Sequence, residues 1–128
     1  MIEPLYLVDT NICIYILADA ESAAARRLGA CSPGVAAASA ITYAELMLGL
    51  AQASVEEGAK ARRFFEQVPV MPFDVEAAVA YARLPFRRGS YDRLLAAHAL
   101  ALNLTLVTSN VRDFHDVPQL RVEKWAAP

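Results

Sequence analysis

Short, continuously apolar runs alternate along the chain with longer segments of helical periodicity. Leu5-Tyr6-Leu7-Val8 before Asp9, residues 35–41, and Leu104-Thr105-Leu106-Val107-Thr108 are apolar or small on consecutive positions, the pattern of strands buried on both faces. The stretch 35–41 is ambiguous by composition; its shortness, with Thr42 next as a cap, favours a strand. Val68-Pro69-Val70-Met71-Pro72-Phe73 reads as an edge strand because of its prolines. A last strand falls near Leu120–Val122. Residues 11–18, 21–31, 43–53, 55–67, 75–84 and 91–102 read as helices; Ser32-Pro33-Gly34 stops the second, and Leu46, Leu50 and Ala53 form a stripe on the third. No linker or low-complexity tract interrupts the alternation. It predicts one α/β domain over 1–128, with helices on both faces of a mostly parallel sheet.

Composition sharpens this picture. The 128 residues suffice for a core without staples. They are 56% hydrophobic, with a mean hydropathy of +0.30, so some apolar surface is expected to meet a partner chain. A net charge of −2 disfavours a basic coat for DNA. Cys13 and Cys31 form no C-x-x-C pair and no zinc spacing, and read as free thiols of a reducing cytoplasm. The N-terminus lacks a basic region, Asp9 breaks its apolar run, and no segment is apolar enough to span a membrane. A cytoplasmic protein without a membrane partner is the expectation.

The chemistry lies in the acids. Asp9 ends the first strand, where ligands bind in open parallel sheets. Glu45 is placed in the first turn of the helix after the second strand, Asp92 in the first turn of the helix 91–102, and Asp113 one turn after the strand 104–108. Strand ends and the following helix starts share one edge of a parallel sheet, so Asp9, Glu45 and Asp113 should meet; Asp92 joins them if its helix points the same way. Each acid also has an ordinary structural role. Thr42-x-x-Glu45 reads as a capping box and Asn110-x-x-Asp113 nearly as one, while Asp92 and Asp9 suit helix N-termini. Together, though, clustered carboxylates repel and raise one another's pKa, and a hard divalent cation resolves that conflict. Oxygen ligands without a thiol or imidazole cluster point to Mg²⁺, with Mn²⁺ as substitute. Such a crevice suits phosphate chemistry. Thr10, Asn11, Thr108, Ser109 and Asn110 are candidate supporting groups, against ordinary turn and cap roles.

Arg83, Arg87, Arg88 and Arg93 bracket Asp92, with Phe86 and Tyr91 between them; Arg87, Arg88 and Arg93 are candidate RNA contacts, and a solvated loop is the alternative. Lys60, Arg62 and Arg63 read as a solvated helix face. His98, six positions after Asp92, lies off its face and reads as structural or exposed. No P-loop, GxGxxG or EF-hand pattern is present.

The strings Leu7-Val8-Asp9-Thr10-Asn11, Ile41-Thr42-Tyr43-Ala44-Glu45-Leu46-Met47-Leu48-Gly49, Tyr91-Asp92-Arg93-Leu94-Leu95-Ala96-Ala97-His98-Ala99 and Leu106-Val107-Thr108-Ser109-Asn110-Val111-Arg112-Asp113-Phe114 occur in order. With the ending Leu120-Arg121-Val122-Glu123-Lys124-Trp125, the chain resembles the PIN-domain ribonucleases of the VapC type, toxins of type II toxin–antitoxin modules. The resemblance implies a Rossmann-like three-layer α/β/α sandwich and a Mg²⁺-dependent endoribonuclease. Asp9, Glu45, Asp92 and Asp113 match its acidic positions, with Asp9 and Asp92 as metal ligands. Some relatives carry an aspartate where this chain has Asn110, and a longer segment where it has Pro85–Ser90. The resemblance further implies an RNA substrate, with cleavage in a tRNA anticodon loop among relatives, a homodimer, and a VapB-type antitoxin. Three other readings compete. A receiver-like domain lacks its Lys after the late strand, and an aspartate-nucleophile phosphatase would want an acid at Asn11. A non-catalytic binding module would use the carboxylates only as caps.

Overall fold

The computed structural model describes residues 2–85 and 90–125. Five strands, β1 (Tyr6–Val8), β2 (Ala36–Ser39), β3 (Val70–Met71), β4 (Thr105–Thr108) and β5 (Val122–Lys124), form one sheet in the order β3-β2-β1-β4-β5. Every pairing is parallel, so the sheet is wholly rather than mostly parallel. β3 is an edge strand, as its prolines require. The chain winds outward from β1 to β2 and β3, then crosses back to place β4 on β1's other side. That reversal makes the ends of β1 and β4 a topological switch point, where doubly wound sheets open a crevice.

Among the described residues, six α-helices cover the sheet: α1 (Thr10–Ala18), α2 (Ala23–Gly29), α3 (Ala40–Gly49), α4 (Val55–Gln67), α5 (Val75–Ala82) and α6 (Tyr91–Leu102). Alternate strand residues feed two cores. Val8, Ala36, Ala38 and Val107 pack with Ile12, Ile16, Leu28, Leu46, Phe64 and Trp125 on one face. Leu7, Ala37 and Leu106 pack with Leu95, Ala96, Ala99 and Phe114 on the other. Alanines in β2 let the helices approach closely. The three layers are those expected from the alternating pattern.

Boundaries moved where caps decided them. The second strand ends at Ser39, two residues early, because the Ser39 hydroxyl accepts the Ile41 N–H and starts α3 at Ala40. Thr42 is therefore inside α3 and does not cap it, and Glu45 lies in the second turn, not the first; no capping box forms there. The box that does form is Ser54 with Glu57, heading α4. The helix read over 21–31 shortens to Ala23–Gly29, capped by Ser22, and the last strand falls at Val122–Lys124 rather than 120–122.

Candidate active site

Asp9 follows β1 and is 4% exposed. Its backbone N–H still bonds Val107 across the strand ends, and its Oδ1 caps α1 by accepting the Ile12 N–H at 2.9 Å. The cap uses one oxygen, so the structural and the chemical reading of Asp9 are compatible. The Thr108 hydroxyl, at the end of β4, accepts the Asn110 N–H at 3.1 Å and approaches the same carboxylate, favouring its ionised form. Burial pushes the Asp9 pKa up, and the charges of Asp92 and Glu45 add to the rise, against the hydrogen bonds from Thr108 and Ile12.

Asp92 stands second in α6, whose N-cap Ser90 accepts the Asp92 N–H. It is half-buried, and its pKa is raised by burial, then by Asp113 and Glu45. α6 does point its N-terminus at the acidic edge. Glu45 is held by Thr10, whose hydroxyl donates to Oε1 at 2.6 Å. Thr42 Oγ1 lies 3.0 Å from Thr10 Oγ1. Since Thr10 donates its one proton to Glu45, Thr42 donates to Thr10. Asp113 sits on a 3₁₀ turn, Val111–Phe114, exposed, with the Asn110 amide donating to Oδ2 at 2.6 Å. Asn110 thus supports Asp113 rather than replacing it. Among the described residues, Asn11 and Ser109 lie at the edge without a side-chain hydrogen bond.

Asp92 therefore links the four carboxylates: it feels the charge of Asp113 and Glu45, and Asp9 in turn feels Asp92 and Glu45. Among the described residues, no three acids, cysteines or histidines close into a ready-made metal cage. Cys13 is fully buried beneath the site, where burial pushes its thiol pKa far up. Arg93 corrects the sequence reading. It is 4% exposed and paired with Asp116 inside the protein, so it offers RNA no surface. Arg87 and Arg88 lie outside the described residues.

Three partners escaped the sequence reading. Thr42 is one. The others form a buried link beneath the site: His98 Nδ1 lies 2.8 Å from Ser39 Oγ, with both residues fully buried. Ser39 Oγ, which also accepts from Ile41, keeps both a proton and a second lone pair, so it can pair with either tautomer of a neutral imidazole. Burial lowers the His98 pKa in agreement; Asp74 and the Pro72 backbone pull the other way, though Nε2 makes no well-formed hydrogen bond. Ser39→Ala loses a cap and leaves Nδ1 unpaired. It is expected to lower stability by about 1–3 kcal/mol, read as a lower urea midpoint. Polar pairs separated by 59 residues leave no local sequence signal.

An acidic crevice at the switch point of a parallel sheet is the ligand-binding position of a doubly wound α/β protein. The chain belongs to the PIN-domain family, which matches residues 6–120. It is 29% identical to the tRNA(fMet)-specific endonuclease VapC of Shigella flexneri, over 94% of this chain and 98% of that protein. It is 30% identical to ribonuclease VapC1 of Haemophilus influenzae strain R2866, over the same shares. Its fold matches a chain of DNA-bound VapBC from Salmonella typhimurium with a TM-score of 0.82 at 27% identity, covering 96% of this chain and 99% of that one. VapBC2 from Rickettsia felis, bound to a promoter DNA fragment, matches at 0.80 and 27%, over 94% and 98%. No helix among the described residues is long and apolar enough to cross a membrane.

Proposed function

We propose that this chain is a Mg²⁺-dependent endoribonuclease, the toxin of a two-component module, silenced by a VapB-type antitoxin. The observation that carries the reading is the buried Asp9 at the switch point, in electrostatic contact with Asp92 and Glu45. Full-length likeness to ribonucleases of the VapC type supports the activity, and the VapBC complexes support the partner. The tRNA(fMet)-specific relative makes tRNA the first substrate to test.

The donor set fits Mg²⁺. It consists of carboxylate oxygens whose raised pKa values record an unmet need for positive charge. Mg²⁺ keeps several waters and is held through one or two carboxylates, so a closed cage is not required. Asp9 and Asp92 are its ligands in this reading. Bound there, the ion supplies Lewis-acid polarisation of the scissile phosphate and neutralises its developing charge. Glu45, aimed by Thr10, accepts the proton of the attacking water. Asp113, steadied by Asn110, orients water at the outer rim. Binding Mn²⁺ to the folded state alone raises its stability. The melting temperature is expected to climb with Mn²⁺ concentration in the parent and to return with EDTA, which also stops cleavage. No saturable rise would remove the metal from the mechanism.

The antitoxin reading has a surface to match. Tyr43, Met47, Leu50, Ala61 and Phe65 line an apolar groove of about 540 Å³ between α3 and α4. Leu48 beside it is 80% exposed. Such a patch suits an apolar partner segment, and α3 joins it directly to Glu45. A homodimer belongs to the same proposal and is read by the mass of the purified chain in solution.

A further inference from the structure

Arg93 follows Asp92 on α6 but turns into the protein. Its Nη1 and Nη2 donate to Oδ1 and Oδ2 of Asp116 at 3.0 and 3.1 Å, and Nη2 also donates to the Pro85 carbonyl at 3.1 Å. Asp116 stands three residues after Asp113. Two pairs therefore run side by side between α6 and the Asp113 turn. Asp92 and Asp113 repel, whereas Arg93 and Asp116 attract. A fork-to-fork ion pair fixes angle as well as distance. Filling space does not call for it, because an apolar side chain of similar size packs without the desolvation cost. The buried Nε of Arg93, without a hydrogen-bond partner among the described residues, adds to that cost. What the pair supplies is fixed geometry beside two acids that push apart.

We propose that Arg93 and Asp116 form a positioning clamp. It holds the turn bearing Asp113 against the head of α6, so that Asp92 and Asp113 stay close enough to serve one hydrated divalent cation. Through the Pro85 carbonyl it also ties α6 to the segment that follows α5. The clamp rests on the reading of the acidic edge as a cation site.

The test is calorimetric titration of Mn²⁺ into the full chain and into Arg93→Gln, Arg93→Lys and Asp116→Asn, with thermal melts and RNA kinetics beside it. Arg93→Gln and Asp116→Asn are expected to weaken Mn²⁺ binding about 10–100-fold, the usual cost of losing a group that orients a ligand. They should lower kcat at fixed Mn²⁺ and leave KM for RNA near the parent's. Arg93→Lys keeps the charge without the fork and recovers part of the loss. Parental Mn²⁺ affinity with a lower melting temperature would make the pair a structural strut and overturn the clamp. A raised KM with parental Mn²⁺ affinity would make Arg93 an RNA contact and overturn it too. Should Arg93→Gln not fold, Asp116→Asn decides, since Asp116 is 29% exposed at its side chain and the substitution keeps an acceptor. A parent without saturable Mn²⁺ binding would refute the cation reading itself, visibly before any variant is compared, and the clamp with it.

Discussion

Asp9→Asn is expected to lower RNA cleavage by about 10³-fold or more while raising the melting temperature of the metal-free protein. The first effect follows from removing a charged ligand. Metal stabilisation of transition-state charge is worth several kcal/mol, and each ~1.4 kcal/mol is tenfold in rate. The second follows from the environment of Asp9. Burial, then Asp92 and Glu45, disfavour its ionised form, so its folded-state pKa lies above the ordinary 3.8. A group with a raised carboxyl pKa destabilises the fold when ionised. That penalty is full at pH above the raised pKa, shrinks as pH falls, and vanishes below about 3.8, where folded and unfolded states are both protonated. Asparagine is neutral throughout and can still accept the Ile12 N–H. The gain in melting temperature should therefore be largest near neutral pH in EDTA and disappear in acid. Thermal melts across pH, with cleavage assays at neutral pH, check both halves. An Asp9→Asn protein that cleaves like its parent would sink the mechanism. One that is inactive because it unfolds would sink the account of Asp9 as an electrostatic strain.

Stability given up at a site in return for activity is a common trade, and here it also explains what the sequence disclosed. Strands 105–108 and 6–8 and the helix 91–102 were legible because their apolar runs and caps agree with the fold they enter. The meeting of Asp9, Glu45 and Asp113 followed from one rule, that strand ends of a parallel sheet share an edge. Asp92 was contingent on the direction of α6, which is settled by β4, the strand it leads into, running parallel to β1. The errors have one cause. Ser39 and Thr42 are both good caps, and only the buried contact of Ser39 with His98 shows which of them heads α3. Arg93 looked like a surface cation because it neighbours other arginines; its partner lies 23 residues on, in a turn. Local pattern records which side chains are polar. It does not record which polar side chains find each other across the core.

Glu45→Gln should cost cleavage about 10²–10⁴-fold, the usual contribution of a positioned proton acceptor. Its effect on Mn²⁺ affinity should be far smaller than that of Asp9→Asn. The separation follows from geometry: Thr10 occupies Oε1 of Glu45 at 2.6 Å, which leaves Oε2 as the oxygen for the water's proton in this reading. Glutamine keeps the Thr10 bond through its carbonyl but cannot take a proton. Thr10→Val gives the complementary result. It preserves the acid and removes the hydroxyl that aims it, and it strands the Thr42 proton that points at Thr10. Its cost should be smaller than that of Glu45→Gln, and the double variant should fall no further than Glu45→Gln alone, because a misaimed glutamine and an aimed one are equally unable to act as base. Losses that instead multiply would mean that Thr10 acts on the reaction independently of Glu45. The hydroxyl chain through Thr42 and Thr10 would then have to be reread as touching the substrate itself. Single-turnover rates at saturating Mn²⁺ separate the two outcomes, because they isolate the chemical step from metal binding and from product release.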